Sequence, residues 1–117
     1  MNQIKEKIIE LNQLILAGKG MEAFEKFYHP NVTMQENEAV PMVGKEPNRK
    51  RELEFFNSIT EFRDARVNSV AVGEDVSMVE WFFDYTHKEW GVRKYTQVSV
   101  QQWQDGQIIK EQFFYGS

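Results

Sequence analysis

Hydrophobic positions early in the chain recur every three or four residues. Ile4, Ile8, Leu11 and Ile15 share one side of a helical wheel, while Lys5, Glu6, Glu10 and Asn12 lie elsewhere. The spacing predicts an amphipathic helix that stops at Gly18-Lys19-Gly20. Met21, Phe24 and Phe27 or Tyr28 continue it into a shorter second helix, ended by His29-Pro30 because proline disfavours helical geometry in the residue before it. The run from Val32 to Asn37 alternates instead, predicting a short strand with Val32, Met34 and Glu36 on one face. Pro41 and Gly44 mark a loop. Pro47 suits the first turn of a third helix, whose Leu53, Phe56 and Ile59 would form its buried side.

From Phe62 onward the period is two. Strands are predicted over residues 62–72 and 76–87, joined by Gly73-Glu74-Asp75, and the chain returns near Trp90-Gly91. Tyr95 to Trp103 and Ile108 to Tyr115 flank Asp105-Gly106, an Asp-Gly pair of the kind that closes hairpins because its turn needs positive φ. A lone hairpin is unstable in water, so the earlier segments must supply more strands and a hydrophobic cover. Helices first and an antiparallel meander afterwards make an α+β fold, with helices over one face of a curved sheet.

Composition narrows the class. The 117 residues are 41% hydrophobic and 14% aromatic, enough for one core in a single domain over residues 1–117. A formal charge of −4 argues against nucleic acid or an acidic membrane as partner, since both need a basic field. Lys45, Arg49, Lys50 and Arg51 read as the solvated side of a helix. Without cysteine there are no disulfides or thiolate metal sites, which is compatible with a reducing cytoplasm. Residues 1–7 lead into no apolar run, so neither a leader nor a membrane span is expected.

Four features in this order resemble the nuclear transport factor 2-like superfamily, and within it the SnoaL-like and ketosteroid-isomerase-like proteins. They are the helix pair ending in Phe27-Tyr28-His29-Pro30-Asn31-Val32, the Val43-Gly44-Lys45-Glu46 entry to the third helix, Val79-Glu80-Trp81-Phe82-Phe83, and Trp103-Gln104-Asp105-Gly106-Gln107-Ile108. The resemblance implies three helices packed in the concave face of a strongly curved, mixed but mostly antiparallel sheet. It further implies a pocket at the open end of this cone and an outer sheet face often used for dimerisation. It implies no single reaction, because the fold hosts isomerases, cyclases, dehydratases, hydrolases and plain binding modules.

The chemistry centres on Glu36. It stands where isomerase-like members carry their proton-abstracting carboxylate, and burial with Val32 and Met34 would raise its pKa toward the range of a general base. The alternative is a strand that ends at Gln35, with Glu36 solvated like Glu38. Ketosteroid isomerases pair that base with a tyrosine and a protonated aspartic acid. The corresponding positions here hold Asn12 or its neighbours and Ser99, so steroid isomerisation by that route is not expected. Asn12 and Ser99 could orient a ligand oxygen, or be ordinary surface or satisfied core polar groups.

Trp81, Phe83 and Tyr85 share a strand face, as do Tyr95, Gln97, Ser99, Gln101 and Trp103, and Glu111, Phe113 and Tyr115. Together with Phe55 these make a candidate pocket wall for a small hydrophobic or carbonyl-containing ligand, or else plain core packing. Glu111 could form an acid/base pair with Glu36, or an ion pair with Arg93, Lys94 or Lys110. His29 reads as a helix-end residue or a proton-transfer partner. His29 and His87 have no acids at metal-ligand spacing, so no metal is expected, and without a phosphate loop or dinucleotide fingerprint neither is a cofactor. Phe82, Val98, Val100 and Phe114 make the opposite faces apolar too, which predicts a homodimer through the outer sheet face. Two functions follow. One is a pocket protein, which as an enzyme would be a cofactor-independent isomerase, cyclase or dehydratase with Glu36 as base. The other is a non-catalytic dimeric binding or interaction module.

Overall fold

The computed structural model describes residues 3–116. Helix α1 (Gln3–Leu16) buries Ile8 and Leu11, as its spacing requires, and Asn12 beside them. Gly18, at φ 79°, turns the chain sharply enough for the Lys19 N–H to reach back to the Leu14 carbonyl at 2.8 Å. Helix α2 (Gly20–Phe27) follows and buries Ala23, Phe24 and Phe27.

Strand β1 (Tyr28–Glu36) begins earlier than the expected start at Val32, and it carries Pro30 inside it. The sheet tolerates the proline because the register of β1 on its neighbour is broken between Tyr28 and Thr33, where a missing N–H interrupts no regular ladder. A short strand β2 (Met42–Val43) precedes helix α3 (Lys45–Asn57). Strands β3 (Ile59–Val72), β4 (Val76–His87), β5 (Gly91–Gln104) and β6 (Gln107–Tyr115) complete one open sheet of 6 strands in the order β2-β1-β6-β5-β4-β3. All pairings are antiparallel except β1 with β6, so the sheet is mixed. The terminal hairpin turns at Asp105 (φ 53°) and Gly106 (φ 82°), both in the left-handed region that the Asp-Gly pair predicts. Register breaks in β3 add twist and bend that strand against β4.

The core packs between α1, α2 and the inner face of the sheet, through Ile8, Leu11, Phe24, Val32, Val79 and Trp81 among others. Helix α3 departs from the expectation. Leu53 and Phe56 are 42% and 38% exposed, and Ile59 lies beyond the helix as the first residue of β3. The inward side is Asn48, Arg51, Glu52 and Phe55, four positions within about one third of a helical turn. Asn48 is fully buried and its Nδ2 donates to the Met42 and Gly44 carbonyls at 3.0 and 2.8 Å, locking the helix start. Phe56 instead lies over Gly20, where a Cβ would come within 2.8 Å of its ring. Phe56 of α3 therefore serves contact with α2, while Asn48, Arg51 and Glu52 face inward with Phe55. Among the described residues no helix is long and apolar enough to cross a membrane.

Candidate functional site

The strand register lines up the inner face in rows. Ser77, Gln101 and Glu111 stand abreast on β4, β5 and β6, with Met34 of β1 beside Glu111. The next row is Val79, Ser99, Phe113 and Glu36, and beyond it come Trp81, Gln97 and Tyr115, then Phe83 and Tyr95. The face shared by the candidate strand residues is thus the one that alternation gives.

The first row is a closed hydrogen-bonded chain. Trp103 Nε1 donates to Ser77 Oγ at 2.8 Å, Ser77 Oγ to Gln101 Oε1 at 2.6 Å, and Gln101 Nε2 to Glu111 Oε2 at 2.7 Å. Tyr28 Oη donates to the other oxygen of Glu111. Every donor is oriented toward the carboxyl, which is 3% exposed. Burial pushes Glu111 up to about 7, against the opposing hydrogen bonds from Tyr28 and Gln101. Burial and the neighbouring Glu111 also raise the Tyr28 phenol well above its ordinary range. The ion pair with Arg93, Lys94 or Lys110 does not form, since both carboxyl oxygens are held by neutral donors.

Glu36 stands at the β1 end of the second row, beside Phe113. It is half-buried, and Tyr115 Oη donates to its Oε1. Burial, followed by that bond, pushes Tyr115 up to about 12. Behind it runs a ladder of rings. Tyr95 meets Tyr115 at 5.6 Å and Phe83 at 5.9 Å, Phe83 stacks on Trp81 at 5.2 Å, and Tyr85 shares a 2.8 Å hydroxyl contact with Tyr95. Phe55 reaches across from α3 to the edge of Tyr85 at 5.6 Å. Gln97 Nε2 donates to Ser99 Oγ at 3.1 Å.

Burial separates these residues into two groups. Trp81, Tyr85, Ser99, Glu111 and Asn12 are buried, whereas Phe55, Phe83, Tyr95, Gln97, Phe113, Tyr115 and Glu36 keep accessible surface although they share the inner face or, for Phe55, pack against it. The inner face is therefore incompletely covered, and both its buried and its accessible parts mix rings with polar groups. Asn12 is separate from the strand network, and its buried Oδ1 has no hydrogen-bond partner.

Sequence reasoning missed Glu52. It projects from the inner side of α3, burial and then the nearby Glu111 charge push it up to about 7, and Glu36 acts in the same direction while Arg51 opposes. The adjacent Arg51 donates from Nη2 to Asn48 Oδ1 at 3.1 Å, and its Nε is buried without a partner. The spacing of Asn48, Glu52 and Phe55, four and three residues apart, was the available signal, but Leu53 and Phe56 pointed to the other face. Both imidazoles serve turns: His29 Nδ1 accepts from the Asn31 N–H at 2.9 Å, and His87 Nδ1 accepts from Glu89 and Trp90 while stacking on Trp90 at 3.7 Å. A separate groove of ≈ 760 Å³ at the opposite end of the sheet is lined by Ile4, Lys7, Asp75, Trp103 and Asp105 among others, and holds none of the candidate site residues.

Residues 2–115 match the model of the SnoaL-like domain. No curated protein sequence matches the chain. Among solved structures, a candidate SnoaL-like polyketide cyclase from Mesorhizobium loti superposes with a TM-score of 0.86 at 23% identity, over 96% of this chain and 98% of that one. A cystatin-like-fold protein of unknown function from Xanthomonas campestris gives 0.83 at 15% identity, over 100% and 92%. A Catenulispora acidiphila protein with a ketosteroid isomerase-like fold, solved in complex with trimethylamine, gives 0.74 at 13% identity, over 93% and 85%.

Proposed function

The chain belongs to the SnoaL-like domain family, and from that premise we propose that it binds a small hydrophobic or carbonyl-containing molecule at the uncovered inner face and performs cofactor-independent proton transfer on it. The observation that carries this reading is the juxtaposition of half-buried rings, Phe83, Tyr95, Phe113 and Tyr115, with the carboxylate of Glu36 at the same opening. Apolar walls with a few convergent polar groups suit a small ligand, and a carboxylate there can take a proton from a carbon next to a carbonyl. In this reading Glu36 is the base, and Gln97, Ser99 and Asn12 orient the ligand. Glu111, closed off by its two donors, sets the field beneath them.

A panel of cyclic ketones in deuterated water tests this. Binding should shift the amide resonances of Phe83, Tyr95 and Glu36, and hydrogen next to the carbonyl should exchange for deuterium faster than in buffer alone. Glu36→Gln should lower that exchange by roughly a hundredfold or more, the scale of general-base catalysis. Shifts confined to the outer sheet face would reject the pocket.

The outer face supports a second reading, a dimeric interaction module. Met78 pairs with Val100 and Val98 with Phe114 on that side, and Met78 and Phe114 are 43% and 38% exposed. A second copy of the chain laid on this face would cover it. Sedimentation equilibrium at tens of micromolar, roughly the range of moderate affinity, should report a dimer that Phe114→Glu converts to monomer. A parent chain that sediments as a monomer rejects the interface.

A further inference from the structure

We propose that Glu52 and Arg51, on the inner side of α3, bind the ligand's carbonyl oxygen, Glu52 donating its carboxyl O–H and Arg51 its Nε–H. The inference rests on the proposed proton-transfer reading and deepens it. That chemistry needs donors where negative charge develops on oxygen. Asn12 of the first helix and Ser99 of β5, whose Oγ accepts from Gln97 Nε2, can orient the oxygen, but neither is acidic enough to hand it a proton.

Helix α3 supplies what is missing. Arg51 Nε is a buried donor with no acceptor, an unfavourable state that a ligand oxygen would relieve. Glu52 neighbours it on the same inward arc, next to Asn48, whose bonds to the Met42 and Gly44 carbonyls hold the helix start in place. The charged and titratable groups acting on Glu52 are Glu111 of β6, Glu36 of β1 and Arg51 of its own helix. Burial and the two acids push it up to about 7, against Arg51, so it exchanges a proton readily near neutral pH and donates in its protonated form, and it keeps some accessible surface, unlike the sealed Glu111.

The step balances without a cofactor. Glu36 removes a proton from the carbon beside the carbonyl, the C–H electrons form a C=C bond, the carbonyl π electrons move to oxygen, and Glu52 delivers its proton there. The product is the enol, with Arg51 steadying the oxygen during transfer.

A diazo probe reads this directly, because only a neutral carboxyl reacts. Its proton passes to the diazo carbon, dinitrogen leaves, and the carboxylate oxygen closes the ester bond. With a small aryl diazoacetamide at pH 6.5 and peptide mapping, Glu52 should be esterified at least about tenfold more than the exposed Glu22, Glu46 and Glu54. Glu52→Gln should lose the label. Arg51→Gln, which removes the charge favouring carboxylate, should carry labelling to higher pH, and Arg51→Lys should leave the profile in place. Label spread evenly over surface acids, label on Glu36 or Glu111 instead, or a profile unmoved by Arg51→Gln would overturn the assignment. The probe needs no ketone, so failure here is distinct from failure of the ketone panel.

Discussion

Replacing Glu111 by Gln should flatten the loss of stability that the protein shows between about pH 4.5 and pH 7. The carboxyl is pushed up to about 7 in the fold, from an ordinary value of 4.5 in the unfolded chain. Below pH 4.5 it is neutral in both states. Between 4.5 and 7 the unfolded chain ionises first, so unfolding becomes easier as pH rises, and above 7 the cost is constant. For a group only 3% exposed, the full loss is on the order of 3 kcal/mol. The Glu111→Gln variant removes the titration at a fixed cost of about 1–3 kcal/mol, because the new amide nitrogen must face one of the two donors, Tyr28 Oη or Gln101 Nε2. Urea unfolding from pH 4.5 to 8 should therefore show the variant well below the parent in acid, with the gap narrowing toward pH 8. Parallel curves would mean that Glu111 is not the titrating group. Glu52 shifts in the same direction, so a residual slope in Glu111→Gln belongs to it.

Trp81→Ala should be the most damaging single truncation in the candidate wall. Trp81 is 3% exposed and lies nearly parallel to Phe83, at 12°, within the main core. Removing a large buried ring leaves a cavity that the sheet cannot close, because β4 is held on both sides by β3 and β5, and the expected cost is about 3–5 kcal/mol. The urea midpoint reads it. A loss below about 1 kcal/mol would show that Trp81 already borders open space and is a cavity wall. The sequence left wall and core as alternatives for this residue, and it lies within the main core cluster.

Much of the fold was legible because its elements are specified locally. The apolar spacing of Ile8 and Leu11, the turn at Gly18 and the Asp105-Gly106 hairpin depend on neighbours along the chain, and each stands where the residues put it. Strand alternation likewise fixed which side chains share a face: Trp81, Ser99 and Phe113 turn the same way because side chains alternate at every step. What lies opposite that face is a tertiary matter. On α3 the apolar Leu53 and Phe56 suggested the buried side, yet the helix turns Asn48, Glu52 and Phe55 inward because Asn48 is tied to the loop before it and Phe55 reaches the rings of β4. The environment of Glu111 was equally out of reach. Its donors come from β1 and β5, residues 83 and 10 positions away, and only the assembled sheet brings them within bonding distance. The sequence by itself determined most of the elements, the faces of the strands and the family likeness, since these follow from local backbone preference and periodicity. The tertiary structure alone decided which acids are buried together, because desolvation and charge proximity depend on distances that chain order does not encode.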